Sequence, residues 1–451
     1  MQTQRLLNRL DTAPLGRFHI RLLLVVGICW VWAAYGVTVV GYLLPLVRSE
    51  WHIRPSELGL MASFGMFGMM VGSVLAGALA DRLGRRMTLE VIMLYVGLAL
   101  ALSAISWNYP LLLTLRFFTG MGLGAILPVS GTLISEYSPV KQRGRLLVLQ
   151  NLFWGLGGVL AALVGYLVVL RWGWRPALLF GVLALLTVPL IRLTLPESVR
   201  FLITQRRMKE ARKIVEHICV TPDGQSSDDE TGSQVNEQLP VPAENNSKQQ
   251  QGIWSRRYVQ ITSTLWVMWF ALNYIFQGVF VWLPSILEAE GSTLEHSYLV
   301  SAVINLGQVP GAIIAASLAD VANRRNMLIL FLTLLAGSAF LFGFAQTIPL
   351  VMVLGFLLTV CNGAAWGLAY PFTTELYPTR IRGSATGWAN GFGRLGGVVA
   401  PYLVGILLQR GVDRLGIFAI LAAAPLLVTV TLAGIRKTTT GRSLEEITEA
   451  R

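Results

Sequence analysis

Long apolar runs separated by short polar loops constrain this chain more than anything else in it. About twelve of them reach ~20 residues, the length a helix needs to cross a hydrocarbon core of roughly 30 Å. They fall at 22–47, 58–80, 88–106, 111–135, 146–170 and 177–195, and again at 261–287, 298–319, 327–345, 350–374, 385–408 and 415–435. In hydrocarbon each backbone N–H and C=O must find its partner within the segment, so such runs are predicted as helices. Only 13% of the 451 residues are charged, and 54% are hydrophobic. Soluble domains carry about 25% charged residues. The predicted fold is therefore all-α integral membrane, with about twelve transmembrane helices in two six-helix bundles and the lipid bilayer as solvent.

The net charge of +12 invites a nucleic-acid reading, but its placement argues against one. Basic clusters recur in alternate loops: Arg82/Arg85/Arg86, Lys141/Arg143/Arg145, Arg206/Arg207/Lys209, Arg324/Arg325, Arg380/Arg382 and Arg436/Lys437. The intervening loops 107–110 and 288–296 carry few basic residues or none. This positive-inside bias predicts a multi-pass protein of the cell (inner or plasma) membrane with both termini cytoplasmic. The surplus charge also suits anionic lipid. The first apolar run is too long for the core of a cleavable signal.

Cys29, Cys219 and Cys361 show no disulfide or metal spacing. His19, His52, His217 and His296 lie outside or at the ends of the runs, and no nucleophile–base pair stands out. The glycines at 120–124, 155–158 and 391–397 let helices approach closely, and no Gly-Lys-Ser/Thr phosphate loop follows them. An enzyme, a resident cofactor and an ATP-driven pump built on this chain alone are not expected.

Residues 221–252 are rich in Gln, Ser, Asp, Glu, Asn and Pro, which reads as a flexible linker. Just before it, 198–219 is amphipathic, with Phe201, Leu202, Met208, Ala211, Ile214 and Val215 on one side. It reads as an interfacial helix under the bundle; an extension of the sixth run is the alternative. The expected organisation is a bundle over 1–197, a cytoplasmic connection over 198–257 and a second bundle over 258–451.

The two halves echo each other. Gly77-Ala-Leu-Ala-Asp81-Arg82-Leu-Gly84-Arg85-Arg86 follows the second run, and Ala316-Ser-Leu-Ala-Asp320-Val-Ala-Asn-Arg324-Arg325 follows the eighth. Glu136-Tyr-Ser-Pro-Val-Lys-Gln-Arg143-Gly-Arg145 and Glu375-Leu-Tyr-Pro-Thr-Arg380-Ile-Arg382-Gly follow the fourth and tenth. Equivalent sites six spans apart argue for an internal repeat, one architecture of secondary transporters. The Gly77–Arg86 stretch resembles the signature of the major facilitator superfamily. Arg116-Phe-x-x-Gly-x-Gly-x-Gly-x-x-x-Pro128, Pro196-Glu-Ser-x-Arg-Phe-Leu202 and Glu375-x-Tyr-Pro-Thr-Arg380-x-Arg382-Gly are similar to its metabolite:proton symporter branch. Trp282-Leu-Pro-Ser285, Pro14-Leu-Gly-Arg-Phe18 and Phe392-Gly-Arg394-Leu-Gly-Gly397 most resemble the bacterial niacin (nicotinate) transporters within it.

A carboxylate at a membrane boundary among guanidiniums forms charge-assisted bonds. Asp81 with Arg82, Arg85 and Arg86, and Asp320 with Arg324 and Arg325, read as two copies of a gate latch; topology-setting arginines are the plainer alternative. Glu136 with Arg143 and Arg145, and Glu375 with Arg380 and Arg382, carry the same logic. The resemblance implies a ring of inter-helix salt bridges there, whose bistability drives alternating access. Arg116, about five residues into the fourth run, either snorkels outward or, as the resemblance implies, tunes proton coupling.

Arg394 lies about ten residues into the eleventh run, too deep to snorkel, and a guanidinium there should face a water-filled interior. Its paired donors fit a carboxylate, so it reads as the residue that binds a substrate carboxylate; a structural pairing with carbonyls or a neighbouring helix is the plainer alternative. Polar and aromatic residues accompany it at depth: Trp32, Tyr35, Trp154, Asn273, Tyr274, Gln277, Asn305, Gln308, Asn362, Trp366 and Tyr370. For any one of them helix packing is the plainer role; as a group, several are expected to line a cavity. Flat rings with amide donors suit a pyridine or benzene carboxylate.

The chain departs from the resemblance at one place. The niacin-type and aromatic-acid carriers typically hold Phe-Asp-x-x-Asp in the first span, where this chain has Trp32-Ala33-Ala34-Tyr35-Gly36. Protons thus stay only a candidate partner. The expected function is secondary active or facilitative carriage of a small organic anion, most simply an aromatic carboxylate, by rocker-switch motion of a monomer. A carrier of another organic ion or a sugar-like metabolite, and a non-transporting sensor on the same fold, are the alternatives.

Overall fold

The computed structural model describes residues 2–139, 142–219, 253–256, 258–318, 323–377 and 379–434. The 221–252 segment, Asp320 and the side chains of Arg380 and Arg382 lie outside the described residues. Twelve described helices are long and apolar enough to cross a membrane. Spans one to six are Arg17–Trp51, Pro55–Leu83, Arg85–Ala104, Tyr109–Tyr137, Arg143–Trp172 and Trp174–Thr194. Spans seven to twelve are Val259–Phe280, Leu294–Leu318, Arg324–Phe342, Ile348–Glu375, Ser384–Gln409 and Arg414–Ala433.

Local chemistry sets where several spans begin. Pro55 opens the second, with the Glu57 carboxylate taking the Arg54 amide at 2.8 Å. Asn108 caps the fourth by accepting from the Leu111 amide at 2.9 Å, and Asp413 caps the twelfth through Gly416 at 3.0 Å. Within each set of six the loops between spans are short, so consecutive spans run antiparallel and one end of the bundle collects the basic loops.

The amphipathic stretch after the sixth span forms two helices rather than the expected one, Val199–Thr204 and Met208–Cys219. The break falls at Arg206, whose φ of 60° is left-handed. Phe201, Leu202, Ala211 and Val215 are buried, so the apolar side is covered as its pattern requires. A further helix, Gln2–Thr12, packs on the second of these, and the Cys219 thiol reaches the Arg9 carbonyl at 3.6 Å.

The two sets of six spans meet mainly at the end opposite the basic loops. Spans two and eleven press together there at glycine: a Cβ on Gly59 would stand 2.3 Å from the Pro401 carbonyl oxygen, and one on Gly405 2.5 Å from that of Pro55. Spans one and eight add polar struts. The Tyr298 hydroxyl donates to the Tyr42 carbonyl at 2.5 Å, and the Asn305 amide reaches the Tyr42 hydroxyl at 3.4 Å. Tyr166 and Glu295 bond across the same seam at 3.0 Å.

Backbone cannot yield at Gly59 as a side-chain tip would. Gly59→Leu is therefore expected to pry this end open. Spin labels at Arg54 and Arg410 should move apart by several Å in the variant, read as an inter-label distance distribution. An unchanged distribution would show that the seam does not depend on this contact.

Candidate functional site

Between the two halves lies a cavity with an empty volume of about 940 Å³. Arg394, 8% exposed, turns into it from the eleventh span. Its guanidinium has no hydrogen-bond or ion-pair partner among the described residues. One turn earlier on that helix, the Asn390 amide donates to the Tyr370 hydroxyl at 3.0 Å, which holds the tyrosine ring beside the arginine.

The aromatic wall is braced from behind. Trp269 sets its ring edge-on to Trp366 and Tyr370, at centroid distances of 5.3 and 4.6 Å, and its indole N–H bonds Thr373 at 3.0 Å. On the facing half, Trp30 and Trp154 meet edge-to-face at 6.1 Å. Ser130 pins Trp30 by accepting its indole N–H at 2.8 Å, and Gln150 bonds the same hydroxyl at 3.2 Å. Such buried networks fix a ring's orientation. Amides complete the lining. Asn273 donates to the Trp269 carbonyl at 2.9 Å, and Gln277 reaches across the seam to the Met66 sulfur. Asn362 is buried, lines the cavity, and has neither side-chain polar atom bonded.

Of the residues singled out in the sequence, Arg394, Asn273, Gln277, Asn362, Trp366, Tyr370, Trp154 and Gln308 are brought together here. Four are not. The Tyr35 hydroxyl donates to the Ala177 carbonyl inside the first half, and Trp32 packs on Tyr35 and Phe180. Tyr274 stacks on Phe270 at 5.8 Å, and Asn305 belongs to the strut at Tyr42. Trp32, Tyr35 and Asn305 turn toward a neighbouring helix and Tyr274 stacks along its own; depth alone did not reveal these directions. Trp30, Asn390 and Met66 were missed. Asn390 lies four residues before Arg394, hence on the same helix face, a signal present in the sequence.

Arg116 does not snorkel. It is 3% exposed, packs between spans one, two and four, and bonds the Gly36 carbonyl at 3.2 Å.

At the basic end the repeat yields one ion pair in each half. Arg85, at the start of the third span, lies 3.4 Å from Glu136 at the end of the fourth; Arg324, at the start of the ninth, pairs with Glu375 at the end of the tenth. Asp81 also meets Arg85 at 3.0 Å, although its carboxylate is 73% exposed. The expected partners of Glu136 differ: Arg143 goes to Asp11 at 3.0 Å and Arg145 is exposed, as are Arg82 and Gly77. Arg325 instead caps the twelfth span, donating to the Leu432 and Ala433 carbonyls at 3.0 and 2.7 Å. The Arg85–Glu136 and Arg324–Glu375 pairs each stay within one half and brace that bundle.

A family model for "Sugar (and other) transporter" matches residues 25–450. The chain belongs to this family of the major facilitator superfamily. It is 36% identical to the niacin transporter NiaP of Acinetobacter baylyi, over 98% of this chain and 99% of that protein. The 4-hydroxybenzoate transporter PcaK of Pseudomonas aeruginosa is 29% identical, over 89% of each. Among solved structures, the partially occluded inward open conformation of the xylose transporter XylE from E. coli superposes with a TM-score of 0.74. It shares 16% identity, over 95% of this chain and 100% of that one, a likeness of fold.

Within this family member, the signature loop depends on a carboxylate from another segment. Glu197 accepts from the backbone amides of Arg86 and Met87 at 3.0 and 3.3 Å, and so caps the third span. Gly84, at φ 94°, leaves the room: a Cβ there would lie 2.5 Å from the same carboxylate. Losing a cap costs about 1 kcal/mol. Glu197→Ala should therefore lower the thermal unfolding midpoint of the detergent-purified protein by a few degrees, and Glu197→Gln, which keeps an acceptor, by less. Equal losses would mean that the bonds to the amides contribute little.

Proposed function

We propose that this protein is a secondary carrier of a small aromatic carboxylate, nicotinate first among the candidates, and that it works by alternating access. The observation that carries this reading is Arg394: a buried guanidinium facing the cavity, without a carboxylate partner among the described residues and with aromatic rings beside it. A buried charge seeks an opposite charge with good hydrogen-bond geometry. A substrate carboxylate supplies both, while Trp366, Tyr370 and Trp154 offer surfaces for its ring. A neutral metabolite would leave the guanidinium uncompensated, which favours the anion. The niacin and 4-hydroxybenzoate carriers among the relatives support the same chemistry.

On this reading the basic end faces the cytoplasm of a cell membrane and carries both termini, by the positive-inside rule. The seam at the opposite end is then the extracellular closure. Asp81, Arg85 and their repeat equivalents act as gate elements when the halves rock. One chain holds both halves and the whole cavity, so a monomer suffices.

Charge-assisted hydrogen bonds contribute about 1.5–3 kcal/mol. Arg394→Ala is thus expected to cut nicotinate uptake into proteoliposomes by roughly 10- to 100-fold in kcat/KM, with Arg394→Lys partly active. Uptake that survived Arg394→Ala unchanged would remove the basis of the proposal. Asn362 refines it, since its amide is free to donate to a ring nitrogen. Asn362→Leu should reduce the preference for nicotinate over benzoate in competition assays, and an unaltered preference would assign the ring nitrogen elsewhere.

A further inference from the structure

We infer that Arg116 holds a small inorganic anion, of which chloride is the simplest case, in a compartment separate from the substrate cavity. The guanidinium is 3% exposed and sits among the first, second and fourth spans. One nitrogen, Nη2, donates to the Gly36 carbonyl at 3.2 Å; Nε and Nη1 are buried with no partner. Arginine stays protonated in proteins. A buried cation with two unmet donors and only one neutral acceptor is costly to keep unless an anion joins it. Among the described residues no carboxylate pairs with it, and the first span carries no Asp or Glu before Glu50.

The guanidinium borders a small cavity lined by Val37, Val40, Met69, Leu123 and Gln277. Its empty volume is about 270 Å³, against about 940 Å³ for the substrate cavity, so a small anion suits it better than an aromatic carboxylate. The lining is mostly apolar, which suits a weakly hydrated halide better than a strongly hydrated anion. Val37, Met66, Met69 and Gln277 line both this compartment and the substrate cavity. The anion is therefore separated from substrate by one layer of side chains, and Gln277, bonded to Met66 across the seam, stands in that layer.

The test is thermal unfolding of the detergent-purified full chain at constant ionic strength, with gluconate replaced stepwise by chloride and, in parallel, by bromide. A ligand that binds only the folded state raises the midpoint saturably. The wild type is expected to show such a rise with either halide. Arg116→Gln should lose it. Gly36→Asp should lose it as well, because the new carboxylate replaces the ion. A Cβ at position 36 points toward the Leu123 side chain, 2.7 Å away and able to swing aside. Gly36→Asp should also be more stable than wild type in gluconate, and it decides the matter should Arg116→Gln fail to fold. Arg394→Gln should keep the halide response, which separates this compartment from the substrate cavity. The inference is overturned by a wild type indifferent to halide, by a response that survives both Arg116→Gln and Gly36→Asp, or by a response lost in Arg394→Gln.

Discussion

Hydrocarbon does not solvate charge, and that constraint organises the interior of this protein. Its spans can hide apolar side chains in lipid or in each other at similar cost, so hydrophobic burial alone does not arrange them. Buried polar groups do. Arg116 and Arg394 lie inside the bundle at 3% and 8% exposure, the first against the Gly36 carbonyl and the second beside amides and aromatic rings. Around Arg394 the result is the large cavity between the halves. Around Arg116 it is a much smaller compartment.

The contacts within and between the halves differ in kind. Inside each half the ion pairs Arg85–Glu136 and Arg324–Glu375 tie the start of one span to the end of the next. Between the halves, glycine packs against backbone at Gly59 and Gly405, beside the hydrogen bonds at Tyr42. Close glycine packing holds by fit rather than by charge, so it can separate without stranding a buried ion. That is the division a rocking carrier needs: rigid bundles, and a seam that opens at low cost.

Much of this was legible in the sequence, because hydropathy reports lipid exposure directly. The twelve apolar runs match the twelve spans to within a few residues at most ends, and the repeat located Arg85, Glu136, Arg324 and Glu375 at equivalent sites. The direction in which each residue points was less legible. Trp32, Tyr35 and Asn305 lie among the spans like the lining residues but face neighbouring helices, and Tyr274 stacks along its own. Hydropathy carries little angular information where a helix is apolar on all sides. Pairing at the basic end was also out of reach. Asp11, the partner of Arg143, comes from an N-terminal helix that the first residues had not suggested, and Glu197 acts on backbone amides, which leave no trace in composition.

The missing carboxylates of the first span bear on energetics as well as on recognition. No Asp or Glu lines the substrate cavity among the described residues, so the cavity has no acidic group of its own to carry a proton. Its charge is set by Arg394 and by what binds there. On the proposed reading, a bound carboxylate cancels that charge, and the loaded carrier reorients nearly neutral at this site. The unloaded carrier must reorient with the guanidinium exposed to a cavity. A full elementary charge moved through the membrane potential corresponds to about 2.3 kcal/mol per 100 mV. The potential therefore acts on the return step of the empty carrier more than on the loaded step, and substrate charge takes the place that a titrating carboxylate holds in proton-coupled carriers.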